Sequence, residues 1–135
     1  MKISVVDLKA SNASRLVTES LIESGFSVVE NHPITGLELI ALYRDWDDFF
    51  VSGNTDQYVS DAESQSGYFS ALYAETAKGQ EEQNLKEYFH YWPGGVLPKS
   101  VEKLTLRYYE EIFNLGKTVM SWLQMNSPQE IWTSL

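Results

Sequence analysis

Apolar side chains recur every three or four positions in the last third of the chain, which is the spacing of one face of an α-helix. They occupy positions 101, 104, 108, 112, 115, 119 and 122, and they predict a helix from Lys99 to Met125. At 1.5 Å per residue, this helix is on the order of 38 Å long. A helix of that length normally lies along a wide surface, whereas the strands predicted elsewhere are few and short.

The first third of the chain has the pattern of a strand, a helix and a second strand. The β-branched run at residues 3–8 predicts the first strand. The following helix is expected to start at an N-cap on Ser11 or Asn12 and to end before Gly25, which suits the left-handed position after a helix. Residues 26–30 predict the second strand.

A second helix is predicted directly after this region. Thr35 and Glu38 have the spacing of a capping box, in which each side chain satisfies an exposed N–H group at the helix start. The helix is expected to run to Val51, before Gly53. One face of it is predicted to carry four apolar side chains: Leu39, Tyr43, Trp46 and Phe50.

Two runs rich in aromatic residues predict strands at 68–73 and 85–92, with polar loops at 54–67 and 74–84. Alternation along the second run puts four side chains on one face of the strand: Lys86, Tyr88, His90 and Trp92. The aromatic side chains of both runs fit either a packed core or the wall of an apolar ligand pocket.

Composition narrows the class of protein. The chain has 135 residues and is 43% hydrophobic, which fits one domain with a real core. The net charge of −9 disfavours nucleic-acid and anionic-membrane partners, because both require a basic surface. The absence of cysteine excludes disulfides and thiolate chemistry. No apolar run is long enough for a signal peptide or a membrane span, so we expect a cytoplasmic protein.

No catalytic arrangement stands out in the sequence. His32 and His90 are the two histidines, and neither has a partner at a metal-ligand spacing. We expect His32, in the turn after the second strand, to hydrogen-bond a backbone group. Asp45 and Asp48 are predicted to lie on a solvated helix face. A nucleophile elbow and a glycine-rich phosphate loop are both missing from the sequence.

The order of the segments nevertheless resembles a known family. ISVVDL, GFSVVENHPI, the pair Phe49-Phe50, SGYFSA, LKEYFHYWP and the long helix follow one another as in the N-terminal region of the isopenicillin N synthase-like 2-oxoglutarate/Fe(II)-dependent oxygenases. Ser27, Pro33 and Leu85 depart from the family's usual Phe, Gly and Trp. The resemblance covers nearly the whole chain and suggests a divergent member.

This resemblance implies an α+β fold: the helix-rich N-terminal portion of a double-stranded β-helix (jelly-roll) oxygenase, with residues 1–135 as its N-terminal domain. In the family, a 2-His-1-carboxylate triad holds the iron, and an Arg and a Ser hold 2-oxoglutarate. Those residues lie in a C-terminal barrel, and none of them can be carried over to this sequence. Fe(II) and 2-oxoglutarate are thus expected in the parent enzyme and not in this chain alone, which should be inactive.

The resemblance also implies candidate contacts with a small organic substrate: Tyr88, His90 and, as a weaker third, Tyr68. The expected partner of the long helix is either the C-terminal barrel or a second copy of the chain. A helix start at 127–130 suggests that the sequence stops inside a further helix. The alternative to an oxygenase is a truncated, non-catalytic binding or regulatory module, expected to be oligomeric.

Overall fold

The computed structural model describes residues 3–60, 65–71 and 86–128. In these ranges the chain forms three α-helices and four short strands, which is the α+β class that was predicted. The chain divides into two compact units: unit 1 takes in Met1–Gly36 and Arg107–Leu135, and unit 2 takes in Leu37–Leu106. None of the helices in the described ranges is both long enough and apolar enough to cross a lipid bilayer.

Unit 1 begins with a strand, a helix and a second strand, as predicted. Strand β1 (Val5–Asp7) pairs in parallel with β2 (Val28–Glu30), and helix α1 (Ala13–Ser24) connects them. The helix begins after Asn12, and Gly25 follows it with φ of 75°, the left-handed conformation expected there. Both strands are shorter than the predicted runs.

The core of unit 1 is aliphatic. Val6 from β1 and Ala13 and Val17 from α1 are at most 2% exposed, and partly buried apolar side chains pack around them. The surrounding set comprises Leu8, Leu16, Leu21, Val29, Val119 and Trp122. Hydrogen bonds from Ser20 Oγ (2.7 Å) and Ser24 Oγ (2.9 Å) to the Phe26 carbonyl then tie the end of α1 to the segment leading into β2.

Unit 2 combines helix α2 (Gly36–Val51), except for its first residue, with an antiparallel pair, β3 (Gly67–Phe69) and β4 (Tyr88–His90). The predicted loop at 54–67 includes a short 3-10 turn, Asp56–Tyr58, and Val59 forms an isolated bridge with Tyr68. The predicted ends of the two strand runs at Tyr73 and Leu85, and the loop at 74–84, lie outside the described residues.

The predicted apolar face of α2 is partly wrong. Tyr43 belongs to the predicted face but is 74% exposed. Phe49 lies outside the predicted face but is only 5% exposed. The buried face centres on Phe49 because four rings surround it with centroids 5.4 to 6.0 Å away. These rings belong to Trp46, Phe50, Tyr58 and Phe89.

The long helix α3 (Lys99–Asn126) agrees with its prediction to within one residue. It begins after the buried Pro98, whose carbonyl accepts the N–H groups of Val101 and Glu102 at 3.0 Å. The predicted stripe is mostly shielded, although Ile112 is 41% exposed. Large apolar side chains elsewhere on the helix are also exposed: Leu106, Tyr109, Phe113, Met120 and Met125. Most of the helix predicted to start at 127–130 falls in 129–135, outside the described residues.

Candidate functional site

The outer face of the β3–β4 pair, defined by Phe69, Tyr88 and His90, carries three rings in mutual contact. The antiparallel register sets Phe69 opposite Tyr88 and Gly67 opposite His90. The Phe69 and Tyr88 rings stack with centroids 4.8 Å apart, and the His90 ring lies 4.7 Å from Tyr88 and 5.0 Å from Phe69. Gly67, with φ of 115°, serves a different contact, because a Cβ there would meet the Tyr58 carbonyl oxygen at 2.5 Å.

A lysine adds positive charge to this outer face. Lys86 Nζ lies 4.8 Å from the centroid of the Tyr88 ring, a cation–π arrangement worth about 0.5–1 kcal/mol at an exposed site. Alternation along the strand predicted the shared face of Lys86, Tyr88 and His90. It missed Phe69, because that neighbour follows from the register between two strands and not from the spacing within one.

Tyr68, the third candidate, lies on the opposite face of the pair. Its ring is 8% exposed and sits 6.2 Å from the Phe50 ring. Its hydroxyl donates a hydrogen bond of 2.6 Å to Glu87 Oε2. This bond raises the pKa of the Tyr68 phenol above its ordinary value, and burial raises it further, because ionisation would place two negative charges side by side. Tyr68 is therefore separated by the sheet from Tyr88 and His90.

The turns that follow β1 and β2 form a second polar region, in unit 1. The Lys9 backbone N–H donates to Asp7 Oδ1 at 2.9 Å. That hydrogen bond, followed by one from the Asn31 side chain, lowers the pKa of the Asp7 carboxyl below its ordinary value. Asn31 has φ of 58°, a left-handed conformation that asparagine tolerates better than most residues. These bonds fix the turns at the carboxyl ends of both strands.

His32 does not behave fully as predicted. Its Nδ1 atom is buried and makes no hydrogen bond to any described residue. The predicted bond to a backbone group is therefore not made through this nitrogen. The neighbouring Pro33 supplies no N–H group and leaves the turn with one donor fewer, which offers a physical reason.

Each unit has a cleft that is lined by described residues. One of about 370 Å³ lies in unit 1, between the turns after β1 and β2 and the second half of α3. It is lined by Leu8, Lys9, Asn31, Pro33, Glu111, Asn114, Leu115, Thr118 and Trp122. The other, of about 360 Å³, lies in unit 2 between the 3-10 turn, β3 and the Gly94-Gly95 turn.

An iron centre of the kind that the resemblance implies for the parent enzyme does not fit the side chains of the described residues. Within residues 3–60, 65–71 and 86–128, no three His, Asp or Glu side chains come together as a metal site would require. His32 lies in unit 1 and His90 in unit 2.

The comparisons with known proteins differ in outcome. No protein-family model matches the sequence, and no curated protein matches it. The crystal structure of a "Putative oxygenase" from Shewanella oneidensis is similar, with 32% sequence identity and a TM-score of 0.84. The match covers 98% of this chain and 46% of the Shewanella protein, so this chain spans less than half the length of that relative. The chain is thus similar in sequence and fold to one part of a protein described as an oxygenase.

Proposed function

We propose that this chain is the N-terminal part of a non-haem Fe(II)/2-oxoglutarate-dependent oxygenase of the isopenicillin N synthase-like type, oxidising a small organic substrate. The observation that carries the proposal is the likeness to the Shewanella protein over 98% of this chain and 46% of that protein. The segment order from ISVVDL to the long helix supports it independently, because it is drawn from the sequence and not from the fold.

In this proposal the chain supplies a scaffold and part of the substrate wall, and the iron and 2-oxoglutarate bind elsewhere in the parent protein. The wall is the outer face of the β3–β4 pair, where Tyr88 and Phe69 are half-buried and His90 is exposed. A half-buried aromatic face on a short antiparallel pair is unusual, since the solvent-facing side of such a sheet is normally polar. Tyr68 is the weaker candidate because its hydroxyl already bonds to Glu87.

The direct test reads the coding sequence beyond Leu135 and expresses the full reading frame. We expect an H-x-D motif, a distal His and an R-x-S motif, and we expect the purified protein to form succinate from 2-oxoglutarate when Fe(II) is supplied. The chain of 135 residues alone is the matched control and should form none. A stop codon at this point, or a longer protein without succinate formation, would contradict the proposal.

The substrate wall has its own test in the longer protein. We expect Tyr88→Ala and His90→Ala each to lower substrate-stimulated succinate formation by about tenfold. Unstimulated turnover of 2-oxoglutarate should stay unchanged, since in this proposal these side chains contact the substrate and not 2-oxoglutarate. Tyr43→Ala is the control, because it removes a ring that is 74% exposed on α2. An equal loss of both activities in the two variants would assign these residues a purely structural role.

A second candidate, a non-catalytic oligomeric module, is favoured by one observation. The exposed apolar side chains along α3, such as Phe113 (55%) and Met120 (60%), form a surface of the kind that protein partners cover. The molar mass of the chain in solution, measured by light scattering, separates the candidates. A stable dimer that Phe113→Glu dissociates would favour the module, and a monomer would favour the oxygenase fragment.

A further inference from the structure

We propose that the cleft in unit 1 binds a small carboxylate-bearing molecule with an apolar body. This site lies in unit 1, whereas the proposed substrate wall lies in unit 2, so the inference does not depend on the proposed function. Three observations carry it: the position of the cleft at the ends of two parallel strands, its apolar walls, and the single cation among its lining residues.

The position follows from the sheet topology. β1 and β2 run parallel, so their carboxyl ends lie at the same edge, and Leu8 N donates to the Glu30 carbonyl at 3.1 Å just beyond them. The cleft opens there, lined by Leu8 and Lys9 after β1 and by Asn31 after β2. Because the carboxyl ends of the two parallel strands meet at one edge, the turns there present side chains and backbone groups to one space.

The walls of the cleft suit an apolar body. Leu8 and Pro33 come from the strand-end turns, and Leu115 and Trp122 come from α3, two helical turns apart. The volume of about 370 Å³ is within the range of small-molecule sites, which are mostly apolar with a few polar groups that set orientation. An aromatic or short aliphatic body therefore fits between the turns and the helix.

The polar groups favour a negatively charged end. Of the residues that line the cleft, Lys9 alone carries positive charge, in a chain whose net charge is −9. The lining carboxylate, Glu111, is already paired with Arg107 at 3.0 Å. The nearby Asp7 carboxylate accepts the Lys9 backbone N–H and a hydrogen bond from Asn31, and the charge of Lys9 also contributes to the lowered pKa of Asp7. The Lys9 ammonium is exposed and can pair with a ligand carboxylate.

The experiment titrates the chain with hexanoate, phenylacetate and indole-3-acetate and follows the Trp122 indole N–H signal by NMR. Phenylacetamide is the matched probe, because it has the same body as phenylacetate but no charge. We expect a saturable shift of the Trp122 signal with at least one carboxylate, and binding at least fivefold weaker for the amide. No saturable shift with any of the three carboxylates, or equal binding of the amide, would overturn the proposal.

Variants locate the site. Lys9→Gln should weaken carboxylate binding by about tenfold, the loss expected for one charge-assisted contact. Lys117→Gln is the control, since Lys117 also lies in unit 1 but lines no part of the cleft. Thr118→Phe should abolish binding by filling the cleft, and its position is exposed, so the helix tolerates the change. Equal affinities for the Lys9 and Lys117 variants would also overturn the proposal.

Discussion

The two units build their cores from different kinds of side chain. In unit 1, small aliphatic residues occupy the centre, and Val17 on α1 is 1% exposed. In unit 2, rings dominate, and Phe49 touches rings from α2, the 3-10 turn and β4. Small side chains let a helix lie close to a strand, whereas rings fill wider spaces and prefer edge-to-face contacts.

The difference also concerns how far apart in sequence the core residues lie. The fully buried residues of unit 1 lie close in sequence, from Val6 to Val17, although Val119 and Trp122 pack around them, whereas the ring cluster of unit 2 extends from Trp46 to Phe89. A hydrogen bond of 3.0 Å from Trp46 Nε1 to Thr105 Oγ1 then joins α2 to the first turns of α3. We therefore expect single substitutions in the ring cluster to have the larger effect.

The largest effect is expected for Phe49→Ala. Removing this ring leaves a cavity among four others and should lower the free energy of unfolding by about 3–5 kcal/mol. Tyr43→Ala, the same kind of truncation on the same helix, should change it by less than about 0.5 kcal/mol. Chemical denaturation, with the Trp46 indole signal as the probe for unit 2, measures both. If both substitutions lowered the free energy of unfolding equally, the contribution of a ring on α2 to stability would not depend on its burial.

A smaller effect is expected in the aliphatic core. Val17→Ala should lower the free energy of unfolding by about 1.5–3 kcal/mol, since one fully buried valine is shortened. Ile22→Ala on the same helix is the control, because Ile22 is 73% exposed. The Trp122 signal reports on unit 1. If Val17→Ala cost more than Phe49→Ala, the proposed ranking of the two cores would be wrong.

The Tyr68–Glu87 bond adds a pH-dependent contribution to unit 2. Tyr68→Phe should cost about 1 kcal/mol at neutral pH, since one hydrogen bond is lost. Because the folded pKa of Tyr68 is raised, this contribution is present below the ordinary value of 10.0 and is lost as the pH rises through the raised pKa. Denaturation curves from neutral to alkaline pH should therefore converge for the two proteins. A constant difference would show that this bond does not control the pKa.

The smallest effect is expected at Asp7. Its pKa is lowered, so its contribution is present above the ordinary value of 3.8 and is lost as the pH falls through the lowered pKa. In Asp7→Asn this acid-side loss should be absent from unit 1, as read at Trp122, while the response of unit 2, as read at Trp46, stays unchanged. An identical acid response of unit 1 in both proteins would show that the turn does not depend on this charge.

The elements that sequence predicts well here are those set by local spacing. The α1 and α3 helices and the Gly25 cap follow from periodicity and from one residue's conformational freedom, and the structure has all three. The buried face of α2 could not be predicted in the same way. Its predicted residues, Leu39, Tyr43, Trp46 and Phe50, have helical spacing, but their burial depends on contacts with β4 and the 3-10 turn. The Phe89 ring, which packs on Phe49 from 40 positions further along the chain, cannot be predicted from the pattern of residues within α2.

In the candidate site, too, local spacing predicts some features, and other features depend on contacts between distant segments. Alternation was enough to put Tyr88 and His90 on one strand face, because strand geometry has a period of two. Phe69 and the buried side of Tyr68 required the register of β3 against β4. The cleft in unit 1 required the packing of α3 near two turns that lie about 80–110 positions earlier in the chain.

The most direct test of the account is the intact mass and iron content of the protein isolated from its native cells. We predict a mass well above the 15.4 kDa of this chain, with about one Fe(II) per molecule, as a complete oxygenase of this type would hold. A mass of 15.4 kDa without iron would contradict the proposed function and would direct attention to a partner that covers α3.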